Sequence, residues 1–173
     1  MKRLILIMLF GLTLSACQQE QRYTQQSPEI DAARALLATS ASGDFEGQRE
    51  YYAADAQIFY NATEDNPTSV DKMIEEQKAQ ADDFSNVSIT IEDSAIEMVT
   101  TDKGEKWVNC WGVWKGTHTA SGKSFEVPFH ETFQFVDGKI VKDFGYWDNA
   151  PIMMAMMEYE KSMAAAADST MMN

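Results

Sequence analysis

"SFEVPFHETFQFVDGKIVKDFGYWDN", residues Ser124 to Asn149, decides the fold. Two apolar runs flank Asp137-Gly138, a pair that supports the positive dihedrals of a tight hairpin turn. In the first run Phe125, Val127, Phe129, Glu131, Phe133 and Phe135 share one face of a strand. Ser124, Glu126, Pro128, His130, Thr132 and Gln134 share the other. In the second run, period two puts Ile140, Phe144, Tyr146 and Asp148 together. Two carboxylates, Glu131 and Asp148, therefore stand on apolar faces of strands expected to pair. A buried carboxylate is costly unless it is hydrogen-bonded, protonated or turned to a wet cavity. One reading is a general acid and base pair in an apolar pocket, with raised pKa values. The other is that Asp148 caps a helix begun at Asn149-Ala150-Pro151, and that Glu131 meets a lysine or the rim after a bulge at Pro128. One aspartate can do both.

Upstream, Ser27-Pro28-Glu29 reads as a helix start, with Ile30, Ala33 and Leu37 as its buried stripe and Gly43 as its stop. A short helix with Phe45, Tyr51 and Tyr52 leads into "ADAQIFYN", a strand. Thr68 and Asp71 have capping-box spacing, and Val70, Met73, Ile74, Gln77 and Ala81 recur at helical intervals. The period then becomes two. Val87, Ile89 and Ile91 run in one phase, Ile96 and Met98 in the other, so the chain turns or bulges between Glu92 and Ala95. "EKWVNCWGVWKGTHT" is the strand before the opening hairpin. The helices are thus segregated from an antiparallel meander, which defines an α+β fold with helices on one face of a bent sheet.

"MKRLILIMLFGLTLSAC" combines Lys2 and Arg3 with an apolar run and small residues, the pattern of a secretory signal peptide too short to span a membrane. Its "LSAC" ending resembles the bacterial lipobox, which implies cleavage after residue 16 and lipid, palmitate included, on Cys17. Gln18 after that cysteine implies, by the same resemblance, the outer membrane facing the periplasm. Polar "QQEQRYTQQS" reads as a tether, so residues 17–28 precede a domain over 29–162, and 163–173 form a disordered tail. The net charge of −13, more negative once Lys2 and Arg3 are removed, opposes nucleic acid and anionic headgroups. With Cys17 lipidated, Cys110 stands alone as a small packed hydrophobe, and no disulfide is available.

"GKSFEVPFHETFQFVDGKIVKDFGYWDNAPIM", with "ADAQIFY" after the first helices, resembles SnoaL-like proteins of the nuclear transport factor 2-like superfamily over roughly residues 29 to 160. The resemblance implies a cone-shaped α+β barrel, a bent antiparallel sheet wrapped around N-terminal helices. It also implies an open pocket, and often a dimer through the outer sheet face. Tyr60, Phe133, Phe144 and Tyr146 would line the pocket. Asp148 matches the family's terminal acid, and Glu131 falls where some members carry one; such acids move protons on bound carbonyl compounds. The related limonene epoxide hydrolases end "RDYFD"-like with a catalytic arginine, and Phe144 followed by Gly145 here argues against that reaction. Lys142-Asp143-Phe144 likewise replaces a histidine-bearing stretch of many members.

No metal-ligand spacing occurs around His118 and His130, no cofactor motif is present, and none is expected. Met153, Met154, Met156, Met157, Met163, Met171 and Met172 raise the question of a soft metal. Their paired spacing is also that of a docking helix, the reading taken here. The expected function is a lipid-anchored periplasmic domain whose pocket binds a small apolar or amphipathic molecule or a partner. The alternative is a cofactor-independent proton-transfer enzyme, an isomerase, cyclase or dehydratase using Asp148 and Glu131. Tryptophans from Trp107 to Trp114 exceed the needs of one core, so a homodimer is expected.

Overall fold

The structure, a computed structural model, describes residues 22–171. Cys17 and the signal peptide lie outside the described residues. Helix α1 spans Pro28–Ser42, opened by Ser27, whose hydroxyl accepts from the Ile30 amide at 3.2 Å. It closes on Gly43 in the left-handed conformation, at φ 79°, where a side chain would be strained. Ile30, Ala33, Leu36 and Leu37 are its buried stripe. A 3-10 turn at Glu46–Glu50 replaces the expected second helix, and Tyr52 belongs instead to strand β2, Tyr52–Tyr60. Helix α2, Val70–Ala79, buries Val70, Met73 and Ile74. Its cap is Ser69, which accepts from the Lys72 amide, rather than the Thr68 expected from capping-box spacing. Thr68 is held in the two-residue strand β3, Thr68–Ser69.

Strands β4 (Phe84–Thr90), β5 (Ile96–Thr100), β6 (Lys106–His118), β7 (Ser124–Val136) and β8 (Lys139–Trp147) follow. The phase slip after Glu92 is a 3-10 turn at Asp93–Ala95, which carries the chain sideways along β6. β4 pairs with its C-terminal half and β5 with its N-terminal half. Strand β1, Tyr23–Thr24, pairs with β5, so the end of the expected tether is part of the sheet.

The sheet runs β1-β5-β6-β7-β8-β2-β3, with β4 also on β6. The expectation of a purely antiparallel sheet needs correction, because β2 lies parallel to β8. That pairing joins segments far apart in sequence, and no hairpin announces it. Helices α1 and α2 supply Ile30, Ala33, Leu36, Leu37, Met73 and Ile74 to a core shared with Val108, Phe133, Phe135 and Ile140 of the concave face.

Two registers set the chemistry. The β6–β7 ladder runs unbroken through Pro128, which pairs with Val113, so the contemplated bulge there is absent and Glu131 stays on the inner face. The β7–β8 ladder shifts between Gln134 and Phe135: Phe135 faces Ile140, but Gln134 faces Lys142. Val141 is thus an extra residue, a bulge. Beyond it the parity of β8 reverses. Asp143, Gly145 and Trp147 turn inward, and Phe144 and Tyr146 turn outward.

Helix α3, Ala150–Met171, continues well past residue 162, where the domain was expected to give way to a disordered tail. Ala164 to Ala167 have the highest intrinsic helix propensity. Among the described residues no helix is long and apolar enough to cross a membrane.

Candidate active site

The inner face carries two rows that matter. In the first, Ile96, Cys110, Glu131, Gly145 and Tyr60 are successive cross-strand partners. In the second, Met98, Val108, Phe133, Asp143 and Ile58 are. Glu131 and Asp143 are therefore diagonal neighbours on adjacent strands of one face, within reach of long side chains. Gly145 stands between Glu131 and Tyr60 without a side chain. A methyl there would come within 2.8 Å of Tyr60 Cδ1, so the ring lies across the glycine. From that position the Tyr60 hydroxyl donates to Asp143 Oδ2 at 3.0 Å, and Tyr52 donates to the same oxygen at 2.6 Å.

Asp143 is 0% exposed and Glu131 6% exposed, and among the described residues no ion pair reaches either acid. Burial lifts Glu131 well above the ordinary carboxylate range, with the Asp143 charge adding to it and the Tyr60 hydroxyl opposing it. Burial also pushes Asp143 up to about 7, against the two phenol donations and Glu131, which hold it down. Of the two, Glu131 keeps the shared proton. Asp143 Oδ1 is buried with no hydrogen-bond partner, which leaves an acceptor that a protonated Glu131 can fill. Burial first, then the nearby acids, raises Tyr52, Tyr60 and Cys110 as well, so these three stay protonated at neutral pH. Cys110 itself is fully buried in the core.

The expected pair was Glu131 with Asp148. The structure brings Glu131 to Asp143 instead, and Asp148 is exposed, its Oδ1 accepting from the Ala150 amide at 2.9 Å at the start of α3. The bulge at Val141 is the reason. The four expected pocket residues divide in the same way. Tyr60 and Phe133 lie inside, Phe133 fully buried in the core; Phe144 stacks outside on Phe59 at 4.5 Å, and Tyr146 is exposed on the outer face. Sequence reasoning missed Asp143 and Tyr52. One signal was present: Ile140-Val141 followed by Lys142-Asp143 breaks strict alternation and admits a bulge.

Beside Glu131 the inner face turns aromatic. Phe129 pairs with Trp147, Tyr60 meets Trp147 edge-on at 5.1 Å, and all three rings are partly exposed. Two grooves lie elsewhere. One of about 400 Å³ is lined by Lys103, Glu105 and Gln134, the other of about 280 Å³ by Arg34, Leu37 and Ile89. Among the described residues no group of three or more His, Cys, Asp or Glu side chains could hold a metal ion.

Fold and acid pair together define an α+β protein with two buried carboxyl groups on the concave face of its sheet. Residues 30–156 match the SnoaL-like polyketide cyclase family, and the chain belongs to that family. Its fold is shared by PrhC from Penicillium brasilianum, at a TM-score of 0.65 and 15% identity over 83% of this chain and 94% of that one. AclR from Streptomyces galilaeus gives 0.61 and 18%, covering 75% and 96%. Wild-type IdmH from Streptomyces antibioticus gives 0.60 and 23%, covering 76% and 99%. No match to a curated protein sequence was found.

Proposed function

We propose that this chain is a cofactor-independent proton-transfer enzyme acting on a small carbonyl compound, as an isomerase, cyclase or dehydratase. One observation carries the reading: two buried acids, Glu131 and Asp143, share a site that no cationic side chain among the described residues pairs with, and two phenols are aimed at one of them. A stability-driven core would not keep such a group, because burying like charges is costly. At neutral pH Glu131 keeps its proton, and Asp143, pushed up to about 7, titrates near neutrality, where a general acid–base group is effective.

In the proposed reaction the ionised carboxylate takes a proton from the carbon beside the carbonyl, breaking that C–H bond and leaving an enolate. Tyr60, a residue that is partly exposed, turns its hydroxyl from Asp143 Oδ2 to the enolate oxygen and stabilises its charge by hydrogen bonding. The proton then returns to another carbon or assists a departing hydroxide. Tyr52 stays on Asp143 and fixes its orientation.

The test is hydrogen–deuterium exchange beside the carbonyl of cyclic ketones and β-diketones, followed by NMR in D2O. Wild type accelerates exchange, and Glu131→Gln and Asp143→Asn each lose about 10²-fold or more. Ketones that bind, by tryptophan quenching, yet exchange only at the solvent rate would overturn catalysis. That outcome leaves the ligand-binding reading, which gains support from the two grooves both lying away from the acids. We also propose, from "LSAC" alone, that lipid on Cys17 anchors the chain facing the periplasm. Palmitate labelling that persists in Cys17→Ser would refute it.

A further inference from the structure

Helix α3 carries a feature that neither the fold nor the acid pair uses. Ile152, Ala155, Met156 and Tyr159 follow the three- and four-residue spacing of one helical stripe, and all four are buried or partly buried. Tyr159 meets His118 of β6 edge-to-face at 5.8 Å, so this stripe is what seats the helix on the body. The docking role expected for the methionines is therefore filled by a stripe with a single methionine in it. Met153, Met154 and Met157 face the other way, at 55%, 70% and 65% exposure, and Met163 follows at 53%.

Among the described residues, every large hydrophobic side chain exposed on this helix is a methionine. A surface selected for apolar contact would be served as well by leucine or isoleucine, which are as good or nearly as good in a helix. Exclusive use of the thioether points to sulfur. Met157 lies four residues from Met153 and three from Met154, spacings that put side chains about 5–6 Å apart at Cβ on one helix surface. Three flexible thioethers so placed can converge on one ion. Thioether sulfur is a soft, neutral ligand that selects Cu(I) or its analogues over zinc, magnesium or calcium. Glu158 and Glu160 are exposed beside the trio, and in a chain of net charge −13 the surrounding field favours a cation.

We infer that Met153, Met154 and Met157 form a surface site for a soft monovalent metal ion, Cu(I), held by thioether sulfur alone. The site is independent of the acid pair.

The experiment is competition for Cu(I) between the purified full chain and bathocuproine disulfonate, with ascorbate keeping the copper reduced. Wild type withdraws one equivalent, and Met153→Leu/Met154→Leu/Met157→Leu weakens binding at least tenfold while its helical circular dichroism is unchanged. A chain that withdraws no copper overturns the site. So does a triple variant that binds as wild type, since Cys17, Cys110 or the remaining methionines would then be the ligands. X-ray absorption of the wild-type copper complex needs no variant. A first shell of sulfur only, lost on alkylating the exposed thioethers, is the expected result; a shell containing nitrogen or oxygen overturns it. Leucine preserves apolar contact, so a partner captured equally by wild type and variant would belong to docking and overturn the reading of these side chains as ligands.

Discussion

The two faces of the central sheet reverse the usual distribution of side chains. On the concave face, where burial is greatest, stand two carboxylates and two phenols. On the convex face, Trp111, His130 and Tyr146 are successive cross-strand partners. Their rings stack at 4.9 Å and 6.4 Å, and Trp111 and Tyr146 remain 48% and 46% exposed. Burial also lowers the His130 pKa, and its Nε2 is left without a partner. A sheet built for stability alone would exchange these two sets. Each face holds side chains in the environment that suits them least, which is what the proposed substrate inside and the expected second copy outside would relieve.

The largest expected effect separates the faces by pH. The folded pKa values of Glu131 and Asp143 are raised, so the stability they contribute is full below the unfolded values near about 4. It is lost as pH rises through the folded values, that of Asp143 at about 7 and that of Glu131 above the usual range. Thermal unfolding should show wild type losing stability between pH 5 and pH 8. Glu131→Gln removes a charge that is costly to create and should be more stable than wild type at pH 8, by on the order of 1–3 kcal/mol. A Glu131→Gln domain less stable than wild type at pH 8 would mean that Glu131 is an ionised structural partner.

The convex face should respond through association. Wild type is expected to sediment as a dimer at micromolar concentration, because exposed aromatic clusters with few charges form interfaces. Trp111→Ala with Tyr146→Ala should give a folded monomer, with unfolding of the monomer changed by about 1 kcal/mol or less. Wild type that stays monomeric at high concentration breaks the comparison, since the exposed rings would then serve no second copy.

The smallest effect belongs to Asp148. Its side chain accepts one backbone amide at the entry to α3 and faces solvent, so Asp148→Ala should cost about 0.5–1 kcal/mol. Exchange chemistry should be unchanged. A hundredfold loss of exchange in Asp148→Ala would return the chemistry to the outer acid and remove Asp143 from it.

Much of this was legible in the sequence, because local signals carried it. Ser27, Pro28 and Gly43 bound α1 as their chemistry requires, and Asp137-Gly138 makes the β7–β8 turn, with both residues at positive φ. Glu131 was legible because nothing disturbs the alternation of β7. Asp143 was not, because one extra residue upstream reversed the phase. Tyr52 was read into a helix, and its hydroxyl reaches Asp143 across 91 residues of sequence, a relation with no local trace. The parallel β2–β8 pairing escaped for the same reason. The acids were visible as a problem; which two met was a matter of register.

Val141 gives that register a further meaning. It works on β8 as a skipped letter works on a reading frame: residues before it keep their face, and every residue after it takes the face opposite to the one strict alternation would give. If Val141 were instead drawn into regular alternation, no residue would change, yet Asp143 would turn toward solvent and Phe144 and Tyr146 would come inside. Deleting it would leave Ile140, Lys142 and Asp143 in regular register, with Asp143 still inward. Within one fold, a strand of this kind can pass from an aromatic lining to an acidic one by gaining a single bulge, with no change of sequence. Strands of the same length and the same letters can therefore present opposite faces, according to whether the bulge forms.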